Sequence, residues 1–564
     1  MLPLPLLFFA LDALSTVLAT PVALDVRRPA GTRAGIHLPL YRRMNINPVR
    51  KRAAAVAGTI GLGDVLDVTY NVLIQVGEVL VPLVLDSGSS DLWVLSTACA
   101  TDCFATSVPL YPPTSFQPTG IAVQLQYGDS LTGTRASGPI GKDTAGIAGF
   151  SLDSQYFAAI SSTNTSVLET GSAGIFGLGF PINSVIWNQL LSAKYPRARS
   201  IRSLSSRYLA NRIFPDLSFI SRHNSNSPRQ LSSPDTSPSV SDVLATFGTN
   251  GPMISRLISA GALSRPLVTI TLQRDTFDIG GNMGVLSIGE LPPGVEESNL
   301  TWVPLRGYTV EQGGLPAPAD SPDEVYPLTW EVMLDDVYFD GEKLPQSDLS
   351  PNITLSALID TGNSLVRGPK DVIQAIVDRL GGTTYPCSDA HSLEFEIGGT
   401  RFPVDPRDFG SQAFTNSDGL CIPSLASTDP PGNGFLYSWS IGDPFLKSVM
   451  ASYYYGNLTY PSHDPPRIGL LSTVPSDAVE RLKSVVNYAN SSLGGNLPAI
   501  SEAPPTSTLA PASTNPGGVP QATESGLAPS AQQPSSTAHS RSVSSFSLAF
   551  SLVFTYLIIM ATHA

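Results

Sequence analysis

A chain of 564 residues, 42% of them apolar, is too long for one hydrophobic core and has enough apolar residues to build two, with tails. Its 46 Asp+Glu outnumber 33 Lys+Arg for a formal charge of −13, and residues 1–52 hold eight Lys/Arg against two Asp, which leaves the remainder at −19. That sign excludes a nucleic-acid role, which needs a basic face for phosphates. It suits a protein that works in acid, where protonation neutralises the carboxylates and only 25 Lys/Arg remain to repel one another.

The chain opens with an apolar run, Leu2 to Leu11, ahead of small residues such as Ala19 and Ala23. Residues 1–23 read as a secretory signal peptide, because Pro3 and Pro5 argue against a buried helix. Residues 24–52 read as a basic propeptide ending at the dibasic run Arg50-Lys51-Arg52, just before Ala53. Secretion makes disulfides plausible for the four cysteines, Cys99, Cys103, Cys387 and Cys421. Sequons at Asn164, Asn299, Asn352, Asn457 and Asn490 are candidate glycosylation sites.

The first chemically informative motif is Val84-Leu85-Asp86-Ser87-Gly88-Ser89-Ser90-Asp91-Leu92-Trp93-Val94, and it returns 274 positions later as Leu358-Ile359-Asp360-Thr361-Gly362-Asn363-Ser364-Leu365. Each copy sets one carboxylate where an apolar strand runs into a glycine turn. Such a carboxylate is costly unless hydrogen bonded, and glycine lets the chain double back so that donors reach it. One Asp-Ser/Thr-Gly triplet arises by chance in roughly one chain of this length in four. Two copies in the same apolar setting read as two halves of one active site. Two carboxylates in contact cannot both ionise cheaply, so one proton is shared between them in acid. The ionised member is then placed to act as general base on a water, and the protonated member to polarise a carbonyl.

Between and beyond the motifs, short apolar segments such as Val72–Gly77 and Val268–Leu272 are broken by Gly, Pro, Asn and Asp, which predicts a mainly β protein with short helices, one of them over Pro252–Ala262. The twin motifs predict two similar β lobes flanking a cleft, with an N-terminal lobe over 53–300 and a C-terminal lobe over 301–475. The stretch from about 195 to 234 is rich in Arg and Ser, and two readings stand: an exposed insertion, or translated non-coding sequence. Residues 476–545 read as a Ser/Thr/Pro-rich stalk, and 546–564 form an apolar tail with no Lys/Arg after it. That favours a signal for glycosylphosphatidylinositol attachment over a membrane span. Six scattered histidines, with no metal-ligand spacing, no Gly-x-Ser-x-Gly elbow and no phosphate-binding glycine loop, call for neither metal nor cofactor.

The twin motifs resemble those of the pepsin family of aspartic proteases. Three further segments extend the resemblance across roughly Val68 to Leu471. These are Tyr127-Gly128-Asp129, like the family's flap tip, Ala173-Gly174-Ile175-Phe176-Gly177-Leu178-Gly179, and Trp439-Ser440-Ile441-Gly442-Asp443-Pro444-Phe445-Leu446. The resemblance implies the bilobal pepsin-like fold, of the fungal secreted and lipid-anchored type, and a monomer that cleaves polypeptides with its own propeptide as inhibitor. It makes Asp86 and Asp360 the catalytic pair, supported by Ser87, Gly88, Ser89, Thr361, Gly362 and Asn363. Within it, Ser87 and Thr361 interlock the two motifs and Ser89 donates to the outer oxygen of Asp86. Asn363 stands where the family usually has Thr or Ser, and its amide is expected to donate in their place. Tyr127, Gly128 and Asp129 form the flap, the Tyr127 hydroxyl bonds Trp93, and Asp129 favours Lys before the scissile bond, as in fungal relatives. Disulfides within lobes, Cys99 with Cys103 and Cys387 with Cys421, are also implied.

By analogy with related zymogens, Arg42 or Arg43 pairs with the catalytic carboxylates; the other reading of these arginines is a solubilising leader. Two further classes compete with the peptidase reading: a catalytically inactive pepsin-like binding protein and a cell-wall structural glycoprotein. The stalk and anchor fit the latter, and the twin motifs do not.

Overall fold

The computed structural model describes residues 36–39, 41–43, 69–99, 103, 108–128, 133–168, 171–195, 238–272, 284–348, 354–413, 419–427 and 437–497. These residues form a mainly β protein with few and short helices. The segments 1–35, 196–237 and 498–564 lie outside that set. The signal peptide, the dibasic run, most of the Arg/Ser-rich stretch, the region richest in Ser, Thr and Pro, and the apolar tail therefore fall outside the described residues, as do Asp129 and Asn352. Among the described residues no helix is long and apolar enough to cross a membrane.

The same three-strand unit occurs twice. In the first half the strand Val79–Asp86 runs parallel to Gly174–Gly177, which is antiparallel to Leu92–Leu95. In the second, Ser356–Ile359 runs parallel to Trp439–Ile441, which is antiparallel to Val366–Gly368. Apolar residues on both faces of these strands explain their depth: Leu85, Val94, Phe176, Ala357, Ile359 and Ile441 are all buried. Each carboxylate motif thus begins where a central strand ends, in a nine-stranded sheet for Asp86 and a five-stranded one for Asp360.

A six-stranded sheet draws on both halves, pairing Leu267–Leu272 with Val449–Tyr454 over Leu267↔Tyr454 to Thr271↔Met450. Beside it the halves are pinned by aromatic residues. The Trp330 indole N–H and the Tyr455 hydroxyl both donate to the Leu178 carbonyl, at 3.0 and 2.5 Å, and Phe180 packs 4.6 Å from Trp330 between ring centroids. Two strands ahead of the dibasic run also belong to these sheets: Ile36–Pro39 pairs with Gly284–Ile288, and Tyr41–Arg43 pairs with Thr69–Val76.

The helix foreseen over Pro252–Ala262 is Met253–Ser259, with Pro252 as N-cap and Ala260 as C-cap. The range read as stalk needs correction at its start. Ala478–Ser492 is a helix that buries Ala478, Leu482, Val486 and Ala489, positions spaced to share one face, so it docks on the folded body. Beyond it, the Leu497 amide donates to the Gln412 side chain at 2.9 Å. Low apolar content over the whole range hid this local 3.6-residue period.

Candidate active site

At the end of each central strand the chain turns back, and the first-turn amides fold onto the carboxylate. Asp86 Oδ1 accepts from the Gly88 and Ser89 amides at 2.8 and 3.2 Å, while the Ser89 hydroxyl donates to Oδ2. Asp360 Oδ1 accepts from the Gly362 amide at 2.9 Å. The two carboxyls face each other closely: a Cβ on Gly362 would collide with Asp86 Oδ1 and lie 3.3 Å from Asp360 Oδ1. The glycines permit this approach, since a Cβ on Gly88 would likewise lie 2.5 Å from Asp360 Oδ1.

Ser87 and Thr361 interlock the loops through four hydrogen bonds. Each amide donates to the other residue's hydroxyl at 2.9 Å; the Ser87 hydroxyl donates to the Ile359 carbonyl at 2.8 Å, and the Thr361 hydroxyl to the Leu85 carbonyl at 2.7 Å. All four are buried, so every donor and acceptor at this junction is answered from the opposite half.

Burial pushes both carboxyls above the usual carboxylate range, but not alike. Asp86 is buried at 6% exposure, and bonds from Ser89 and Gly88 oppose the shift. Asp360 is half-buried, yet the packed atoms around it strip its hydration, and the Asp86 charge adds to the rise. Both carboxyls are raised, so the pair holds one shared proton into the acid range.

The hairpin of Gln117–Tyr127 and Thr134–Ile147 carries Tyr127 to this site. The Trp93 indole N–H donates to the Tyr127 hydroxyl at 2.7 Å, and the Asp86 charge bears on that hydroxyl, so the flap tyrosine stands over the Asp86 side of the site. Gly128 follows with φ of +79°, a left-handed turn that suits glycine. Asp91, five residues after Asp86, was not foreseen as a site residue. It accepts from the Ser184 hydroxyl and from the Val185 and Ile186 amides at 2.5, 2.9 and 3.1 Å, where the helix Val185–Lys194 begins, and burial pushes it up to about 6.

Asn363 departs from expectation. Its amide donates to Ser440, at 3.1 Å to the carbonyl and 3.0 Å to the hydroxyl, and not to Asp360. Ser440 and Arg367 hold it there, and sequence reasoning named neither for this role. The available signal was a serine inside the buried segment Trp439-Ser440-Ile441, which needs a polar partner.

Cys99–Cys103 and Cys387–Cys421 are disulfide bonded. Of the sequons, Asn164, Asn299 and Asn490 are exposed and Asn457 is half-buried. The side chains of Arg42 and Arg43 lie outside the described set.

A family model described as eukaryotic aspartyl protease matches residues 69–200 and 240–460. The chain belongs to that family. Major aspartyl peptidase 1 of Cryptococcus neoformans var. grubii is 22% identical over 76% of this chain and 74% of its own. An aspartic protease of Phaffia rhodozyma is 24% identical over 69% and 72%, and pepsin A of Sus scrofa 24% over 71% and 83%. The described residues of this aspartyl protease hold no cluster of His, Cys, Asp and Glu suited to a metal ion.

Proposed function

We propose that this aspartyl protease is an acid-acting endopeptidase whose catalytic pair is Asp86 and Asp360. The observation that carries the reading is the contact of the two carboxyls, held from opposite halves by the Ser87–Thr361 interlock. A water between them loses a proton to the ionised carboxylate of the pair as its oxygen attacks the peptide carbonyl carbon, and the proton of the other carboxyl passes to the carbonyl oxygen. The tetrahedral diol collapses with transfer of a proton to the nitrogen, which releases an amine and a carboxylic acid and restores the shared proton. Tyr127 covers the substrate from the flap, and Asp129 at its tip pairs with a Lys before the scissile bond.

The wider reading is a glycoprotein zymogen, made in the secretory pathway and carried to the cell surface by a lipid anchor. Its negative charge beyond residue 52 suits work in acid. Pairing of Ile36–Pro39 and Tyr41–Arg43 with the body sheets supports a propeptide that docks on the enzyme it restrains.

The test is cleavage of peptides at about pH 3 to 6, the range set by carboxylate pKa values, with and without a statine-type inhibitor. The wild type should cleave and be inhibited. Asp86→Asn and Asp360→Asn should fold and lose about a thousandfold or more of kcat/KM. A folded wild type that cleaves nothing would leave the binding-protein reading in its place.

A further inference from the structure

The two dyad loops share a backbone path but not their donors. Ser89, three residues after Asp86, turns its hydroxyl onto the carboxylate. Asn363, three residues after Asp360, is committed elsewhere. Both amide hydrogens are used on Ser440, and Oδ1 accepts from the Leu365 amide at 3.1 Å and from Arg367 Nε at 3.4 Å. Ser440 is 7% and Asn363 8% exposed, on and beside a central strand where an unanswered hydroxyl or amide is costly. Swinging the amide toward Asp360 would orphan polar atoms of Ser440, so each residue fixes the other.

We propose that Asn363, clamped by Ser440 and Arg367, is a positioning residue that denies Asp360 the side-chain donor Asp86 enjoys and so extends activity toward higher pH. The inference rests on the peptidase reading above. A hydroxyl donor at position 363 would favour ionised Asp360, so its loss lets Asp360 keep the shared proton to higher pH. The upward shift of Asp360, with no side-chain hydroxyl among the causes opposing it, agrees. Among the described residues the other titratable groups near the pair are Tyr437 and Tyr453, both pushed up in part by the Asp360 charge, with Glu331 also acting on Tyr437 and Asp443 on Tyr453. Arg367 faces Asn363 and Tyr437, and Tyr127 faces Asp86. A substitution at 363 leaves all of them in the sequence, so the pH profile reports on the 363 side chain.

The experiment compares kcat/KM across about pH 3 to 8 for wild type, Asn363→Thr, Asn363→Ala and the double variant Asn363→Thr/Ser440→Ala, with melting temperatures alongside. The double variant removes the hydroxyl that the single threonine variant orphans, so folding of one threonine form suffices. The alkaline limb should fall by about one pH unit in the threonine variants and stay in place for alanine. A purely structural role would move melting temperatures and leave the limb untouched in all variants, which would overturn the proposal, as would equal shifts for alanine and threonine. An inactive wild type overturns the peptidase reading itself, and this inference with it.

Discussion

The half that carries Asp86 and the half that carries Asp360 repeat one backbone arrangement with different side chains around it. Five residues past the carboxylate the first half has Asp91, a helix-capping acid, and the second has Leu365. Seven residues past it the first has Trp93, which holds the flap tyrosine, and the second has Arg367, which holds Asn363. The aliphatic strands and the glycines that admit the opposite carboxylate are what the backbone path requires, and both halves keep them. The positions that only tune the acids have diverged. Symmetry in this molecule belongs to the fold, and asymmetry to its chemistry.

The disulfides give the largest expected contrast. Cys387–Cys421 spans 34 residues and Cys99–Cys103 spans four. Restricting the unfolded chain by loops of those sizes stabilises the fold by about 4 and about 2 kcal/mol respectively. Cys387→Ser/Cys421→Ser should therefore lower the urea midpoint roughly twice as far as Cys99→Ser/Cys103→Ser. Equal losses would mean that local packing, and not chain restriction, governs both lobes.

The contrast between Asp91 and Leu365 is next in size and depends on pH. Burial raises the folded pKa of Asp91 from 3.8 to about 6, so between those values the unfolded chain has lost a proton that the folded chain keeps. Stability from this group is therefore intact below about pH 4 and declines as pH rises through about 6, by about 3 kcal/mol in total. Asp86 and Asp360, also raised, act in the same direction. Asp91→Asn should flatten this part of the profile, read as urea midpoints from pH 3 to 7. A variant with the same slope as wild type would show that other groups cause the decline.

Much of this site was legible because its requirements are local in sequence. An apolar run, an acid, a hydroxyl residue and a glycine specify a carboxylate at a strand end, and two copies specify a pair. The direction of Asn363 was not legible, because it is set by Ser440, 77 positions away and adjacent only once Trp439–Ile441 lies against Val366–Gly368. Nor could a basic leader reveal that Ile36–Pro39 adds a strand to a sheet, since edge pairing uses backbone groups that every sequence carries. The docked helix Ala478–Ser492 was missed because four small and aliphatic residues on one face are diluted by their polar neighbours.

The smallest contrast tests the interlock, where the halves should be nearly equal. Each hydroxyl there donates to a carbonyl and accepts from an amide of the other half, so removing one leaves two buried backbone groups unanswered. That costs about 1 to 3 kcal/mol. Thr361→Val keeps the shape and deletes only the hydrogen bonds, and Ser87→Ala is its nearest equivalent. Their destabilisations should agree within about 1 kcal/mol, because the bonding on the two sides is reciprocal. Among the described residues the Tyr453 hydroxyl, 3.5 Å from Ser87 Oγ, breaks the equality, and it lies close enough to supply a weak substitute on the Ser87 side. If Ser87→Ala proves milder than Thr361→Val, Tyr453→Phe in the Ser87→Ala background should close the gap. If it does not, the two halves do not share the load of holding their acids together.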